Sequence, residues 1–265
     1  MNRWFLAALV ASTLAPIAEA DAFPVHRRMF RSAYDKAVRC ELCHARGGGN
    51  RRNAYGDAWF SAGETIEAFR KIESADSDGD GVVNIVEIEG GSNPGDPRST
   101  PDAPGRRWKS SQRVPIPKGQ LELVFGHPEK IEAVEIDVDD AKASKIAKAL
   151  GRPPREEERF PTLYFAVNDG RRSAVALFGH RQTAAGRFTV LVSLDAKAKV
   201  DRIAIFRAGK SDGTDLMPYA RCLQGHGVRD LPRAGESGCP RVAGSEPIRL
   251  TVQSALATAA AALSR

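Results

Sequence analysis

Hydrophobic and polar positions along this chain change period several times, and each change marks an element. Residues 4–17 are almost wholly apolar. Residues 24–39 read as a helix, and residues 58–72 as an amphipathic one with Trp59, Phe60, Ile66 and Phe69 on its apolar side. The pattern then lapses over 90–119, which is rich in Gly, Pro, Ser and charge and reads as a linker region. Short apolar runs at 121–125 and 131–136 predict strands. Residues 139–150 predict a helix with Ala141, Ile146, Ala149 and Leu150 along one side, Asp139 or Asp140 at its N-cap and Gly151 as its stop. Further strands follow at 162–167, 173–178, 188–194 and 202–207. Asn168-Asp169-Gly170 turns the first pair and residues 195–199 the last. An alanine-rich helix over 254–263 ends the pattern. The fold class is therefore α+β: a small helical module over 21–99, a linker over 100–119 and an antiparallel-sheet α+β domain over 120–265.

The apolar start has its own meaning. Arg3 precedes it and Ala18-Glu19-Ala20 follows, the order of a secretory signal peptide cleaved after residue 20. The run is short for a bilayer span, which favours cleavage over a retained anchor. The mature protein is expected in the periplasm. At 265 residues, 42% hydrophobic and 27% charged, the chain has enough apolar material for about two cores. Its net charge of +6 is uneven. Arg27, Arg28, Arg31, Lys36, Arg39, Arg46, Arg51 and Arg52 form a basic collar, either a steering field for an acidic partner or a solvated surface. Export, and the lack of an aromatic-basic motif, exclude a nucleic-acid partner.

Inside that collar lies Cys40-Glu41-Leu42-Cys43-His44, the C-x-x-C-H pattern. Two thiols at this spacing suit thioether bonds to the two vinyl groups of haem, and the adjacent His44 suits the proximal iron ligand. The segment resembles a c-type cytochrome module. Residues 47–49 are all glycine and allow a tight turn beside such a group. A thioredoxin-like thiol pair lacks its βαβ context, a zinc site lacks further ligands, and a simple disulfide leaves His44 unexplained. For the distal side, His26 is the expected ligand and Met29 the alternative; a five-coordinate iron stays open.

Residues 76–87, DSDGDGVVNIVE, match the EF-hand loop position by position. Asp76, Asp78 and Asp80 supply carboxylates, Val82 a carbonyl, Asn84 a ninth-position group and Glu87 a bidentate carboxylate. Gly81 makes the sharp turn. Without a hard cation these acids would repel one another. Gly90-Gly91 and Pro94 exclude a long exiting helix. The stretch 76–99 resembles the thrombospondin type 3 calcium repeats, which implies a structural calcium.

Residues 160–212 resemble the FMN-binding domain of membrane-linked electron-transfer subunits, through TLYFAVNDGRRSAVALFG and GRFTVLVSLDAKAKVDRIAIFRAGKSDG. That family attaches FMN through a threonine. Here Val242-Ala243-Gly244-Ser245-Glu246 is the counterpart, and Glu246 cannot form the phosphoester. Noncovalent FMN and a cofactor-free domain both stay open. Cys222 and Cys239 are expected to form a disulfide after export. His127 and His180 carry no signal, and His226 reads as a loop residue.

These readings converge on a periplasmic, calcium-stabilised c-type cytochrome that transfers electrons, with a redox partner protein, possibly a membrane-linked electron-transfer complex, at its flavin-like or docking domain. Two alternatives stand beside it. One is a calcium-stabilised binding or haem-sensor module. The other is a peroxidase-like or reductase enzyme with an open iron position.

Overall fold

A computed structural model describes residues 24–45, 51–104, 114, 116–208 and 215–264. Residues 1–20, expected to be a signal peptide, the glycines at 47–49 and the end of the stretch read as flavin-like lie outside the described residues. The chain is a mixed α+β protein, with a helical N-terminal part followed by a five-stranded antiparallel sheet.

The helical part contains α1 (Pro24–Tyr34), a 3-10 turn (Cys40–Leu42), α2 (Ala54–Ser61), α3 (Ile66–Lys71) and α4 (Asn84–Gly90). The helix predicted over 24–39 stops at Tyr34, where Asp35 turns to a positive φ of 51°. The helix predicted over 58–72 is two helices. Asn53 caps α2 by accepting from the Gly56 N–H, and Thr65 caps α3 by accepting from Ala68 N–H. Gly63 and Glu64 both adopt positive φ between them, which no continuous helix tolerates. The bend brings Trp59 onto Phe69, stacked at 4.7 Å and 11°. Phe30 meets Phe69 edge-on at 5.3 Å. Met29, Leu42, Tyr55 and Ile88 complete this small core.

The sheet domain opens with α5 (Lys118–Phe125) and runs through β1 (Lys130–Glu135), α6 (Asp140–Leu150), α7 (Glu156–Arg159), β2 (Thr162–Asn168), β3 (Arg171–Thr183), β4 (Gly186–Leu194) and β5 (Val200–Ala208). It ends with α8 (Met217–Cys222) and α9 (Ser245–Leu263). The strands lie in the order β1-β2-β3-β4-β5, all antiparallel. Asp169 and Gly170 both take positive φ in the β2–β3 turn, as a two-residue hairpin requires. Asp139 caps α6 and Gly151 ends it in the left-handed region. The strand predicted at 121–125 is instead α5. Leu121 and Val124 are buried and Leu123 is 56% exposed, so burial follows helical rather than alternating spacing.

Both faces of the sheet are covered. Leu163, Phe165, Val175, Leu177, Phe188, Val190 and Val192 pack under α8 and α9. Tyr164, Ala176 and Leu191 pack against α5 on the other face. This is why β2 is buried from end to end at 162–167 and reads as one apolar run. The closing helix begins nine residues before its predicted start, at Ser245. Its first half looks polar, but Arg249, Thr251 and Ser254 are buried against partners, so composition concealed the helix.

The two parts are joined by side chains. Arg28 is buried and donates to the carbonyls of Ile136 (2.8 Å) and Pro161 (2.9 Å), and pairs with Asp137. Arg27 pairs with Glu135 at 3.2 Å. Arg187 of β4 pairs with Glu64. The basic collar thus spends Arg27 and Arg28 on the sheet domain.

Candidate haem and calcium sites

The C-x-x-C-H segment is a closed turn. The N–H groups of Cys43 and His44 both donate to Cys40 O, at 3.1 and 2.9 Å. One residue that sequence reasoning passed over holds it. Asn53 donates through Nδ2 to Leu42 O (2.9 Å) and Glu41 O (3.2 Å), while its backbone N–H donates to Cys43 O at 3.0 Å. The same side chain caps α2. Gly56 packs so tightly under the turn that a Cβ there would strike the Cys43 carbonyl. Asn93, from the segment after the acidic loop, donates to Glu41 O at 3.1 Å. The available signal was an Asn placed as N-cap before an apolar helix.

Cys40 and Cys43 are free thiols, while Cys222 and Cys239 are joined as expected, with Cα atoms 5.6 Å apart. Burial, then the Glu41 carboxylate, pushes the Cys40 thiol up. Burial, then Cys40, pushes the Cys43 thiol up to about 12. Such an environment disfavours a thiolate, as a nucleophile or zinc ligand needs, and suits an uncharged sulfur such as a thioether.

His44 lies opposite Arg52 in a short antiparallel bridge. His26, on α1, meets Trp59 edge-on at 4.9 Å. Burial first, then the charges of His180, Arg187, His44 and Arg52, hold the His26 imidazole well below its ordinary value. Met29 is fully buried in the apolar core. Two free thiols and the adjacent His44 form a donor set whose chemistry would fit a covalently held haem.

In the acidic loop, oxygens of Asp76, Asp78 and Asp80 come within 4.8 Å of one another. Backbone donors hold them there. Gly79 and Gly81 N–H bond to Asp76, and Val82 N–H bonds to Asp80. Glu87 is fully buried. Its Oε2, with the Oδ2 atoms of Asp78 and Asp80, lacks a hydrogen-bond partner. Burial, then Asp78, pushes the Glu87 carboxyl up to about 8. The three aspartates converge, and the partnerless oxygens of Asp78 and Asp80 among them are what a hard cation would satisfy; Glu87 lies outside that converging set. Asn84 differs from the acids. Its Nδ2 donates to Ile72 O (2.6 Å) and Ser77 Oγ (2.9 Å), and its Oδ1 accepts from Ser77 N–H at 3.2 Å. It braces the loop from inside. The carbonyl of Val82 stands at the seventh position.

The flavin counterpart does not fit covalent attachment. Glu246 lies in the first turn of α9, held by Arg249 at 2.6 and 2.8 Å. His127 is exposed beside Glu122, and His226 faces Asp230 at 3.4 Å. Among the described residues no helix is long and apolar enough to cross a membrane. Comparison with protein-family models and with curated proteins finds no match, so the chemistry rests on the residues themselves.

Proposed function

We propose that this protein is an exported, periplasmic electron-transfer protein of the c-type cytochrome class, stabilised by calcium, whose sheet domain docks a redox partner. One observation carries the reading: free Cys40 and Cys43 share a closed turn with His44. Cys40 and Cys43 would hold haem covalently, His44 would be its proximal ligand and His26 its distal one. When bound, the haem iron supplies one-electron chemistry.

The protein's own part is to hold donors still. Asn53 and Gly56 fix the turn that carries Cys43 and His44. Trp59 and Phe69 exclude water beside His26. Asp76, Asp78, Asp80, Val82, Asn84 and Glu87 form the calcium loop. Its following segment reaches Glu41 through Asn93, so an ion there would stiffen the turn. Electron transfer needs no acid–base pair from the chain.

The test is expression with cytochrome c maturation machinery, followed by visible spectra in both redox states and haem staining after denaturing electrophoresis. Reducible haem that stays with the polypeptide is expected. Its absence overturns the reading. A five-coordinate spectrum that shifts with added gas would transfer the protein to the sensor class.

A further inference from the structure

A cavity of about 410 Å³ opens between α6, α9 and the turn at residues 226–230, and no residue of the helical part lines it. We propose that it binds a small organic anion, a carboxylate carried on a compact apolar body. The proposal is independent of the haem reading. It also lies apart from the flavin counterpart, because Glu246 precedes Ala260 on α9 by roughly 21 Å along the helix axis.

The walls follow from the residues that build them. On α9, Ala257, Ala260 and Ala261 recur at helical spacing and offer only methyl groups. Where α6 and α9 meet, Ala143, Ile146 and Ala261 fill the contact. Beyond it the methyls leave a gap towards Ala149 and Val228, and the floor of that gap is apolar. The frame is fixed on three sides. Lys145 Nζ donates to Ser264 Oγ at 2.8 Å and ties α6 to the end of α9. Val200 N–H donates to His226 O at 2.9 Å and Gly225 N–H to Val200 O at 2.8 Å, which tie the turn to β5. From α9, Gln253 Nε2 reaches Val228 O at 3.5 Å. The cavity is thus preformed and of the size that small-molecule sites take.

The rim has one sign of charge. Lys145, Lys148 and Arg229 line the cavity and no acid does. The acids near them in sequence are engaged elsewhere. Asp139 pairs with Lys142 at 2.8 Å, while Asp230 accepts from Gly227 N–H at 2.7 Å and faces His226 at 3.4 Å. Among the described residues neither Lys148 nor Arg229 is paired with an acid. Lys148, in the last turn of α6, gains from the helix dipole with or without a ligand, but Arg229 stands in the turn, outside every helix. Cations above an apolar floor match an anion joined to an apolar body better than either part alone.

The experiment uses the full chain with its disulfide intact and titration calorimetry with octanoate. Octanol supplies the apolar body without the charge, and inorganic phosphate the charge without the body. Octanoate is expected to bind at one site about tenfold more tightly than either. Lys148→Ala combined with Arg229→Ala, both at exposed positions, is expected to weaken octanoate about tenfold while the melting curve stays in place. Ala260→Trp is expected to abolish binding by filling the mouth. Phosphate that binds as tightly as octanoate reduces the rim to a plain cationic patch, and octanol that does so reduces the floor to a plain apolar one; either result overturns the proposal. So does an octanoate affinity unchanged in both variants, or no octanoate binding at all. Failure of octanoate beside firm binding of phosphatidylglycerol vesicles also overturns it and assigns this face to a membrane surface.

Discussion

The helical part and the sheet domain solve the same stability problem differently. The sheet buries both faces, under α8 and α9 on one side and α5 on the other, and a disulfide ties α8 to the following loop. The helical part has short helices and one aromatic cluster around Phe69. Its acidic loop leaves buried oxygens of Asp78, Asp80 and Glu87 without partners. A small module of roughly eighty residues buries a lower fraction of its surface than a larger domain and needs outside support. The sheet domain carries its own support. The helical part has an acidic loop and a thiol pair where, on the reading proposed above, that support would attach.

Four measurements break or sharpen this contrast. The largest effect is expected from calcium removal. With calcium at a thousandfold its dissociation constant, chelation removes about 4 kcal/mol of stability. Melts followed by circular dichroism, with calcium and with EGTA, are expected to move the helical transition and leave the sheet transition in place. Glu87→Gln is expected to abolish the difference between the two conditions. A single melt that is indifferent to calcium would remove the contrast.

Opening the disulfide is the reciprocal experiment. Cys222→Ser with Cys239→Ser releases a loop whose ends are 17 residues apart, worth about 3 kcal/mol on the chain-entropy view. Urea denaturation is expected to show this loss in the sheet transition alone.

Acid tests the sheet domain a third way. Burial opposes the Glu158 carboxylate, but bonds from Arg152 and Ser254 and the charge of Arg155 outweigh it and bring it down to about 2. A folded value below the unfolded carboxylate's means stability that is present above about pH 4.3 and lost as pH falls through 2. It is worth roughly 3 kcal/mol. Glu158 is only 5% exposed, so solvent screens the network little. Urea midpoints between pH 6 and pH 2 are expected to fall steeply, and those of Glu158→Gln to start lower and fall less.

The smallest effect is expected at Asn53, where loss of an N-cap costs about 1 kcal/mol. Asn53→Ala also releases the carbonyls of Glu41 and Leu42, so it is expected to reduce the yield of covalent haem more than it lowers the melting temperature. Haem staining normalised to protein measures the first and a melt the second. Equal losses would reduce Asn53 to a helix cap.

What could be read along the chain was local. The α6 boundaries were legible because Asp139 and Gly151 act on their own neighbours. The β2–β3 turn was legible because Asp169-Gly170 has few other backbone choices. The errors arose where burial overrode pattern. Residues 121–125 form a short apolar run that reads as a strand, yet the sheet face takes Leu121 and Val124 from a helix. Residues 245–253 look too polar for a core helix, yet Glu246 satisfies Arg249, and α9's own backbone satisfies Thr251.

The sequence alone determined the C-x-x-C-H spacing, the twelve-residue acidic loop and the cysteine pair of the sheet domain. Each depends on residues close along the chain or on chemistry that few residue types possess. Only the tertiary structure decided that Asn53 clamps the turn, that Asn84 braces the loop from within, and that Arg187 of β4 pairs with Glu64 of the helical part. Residues 64 and 187 share no local pattern. Their pairing, like the anchoring of α1 to the sheet domain by Arg27 and Arg28, joins residues far apart along the chain, which only the folded packing can bring together.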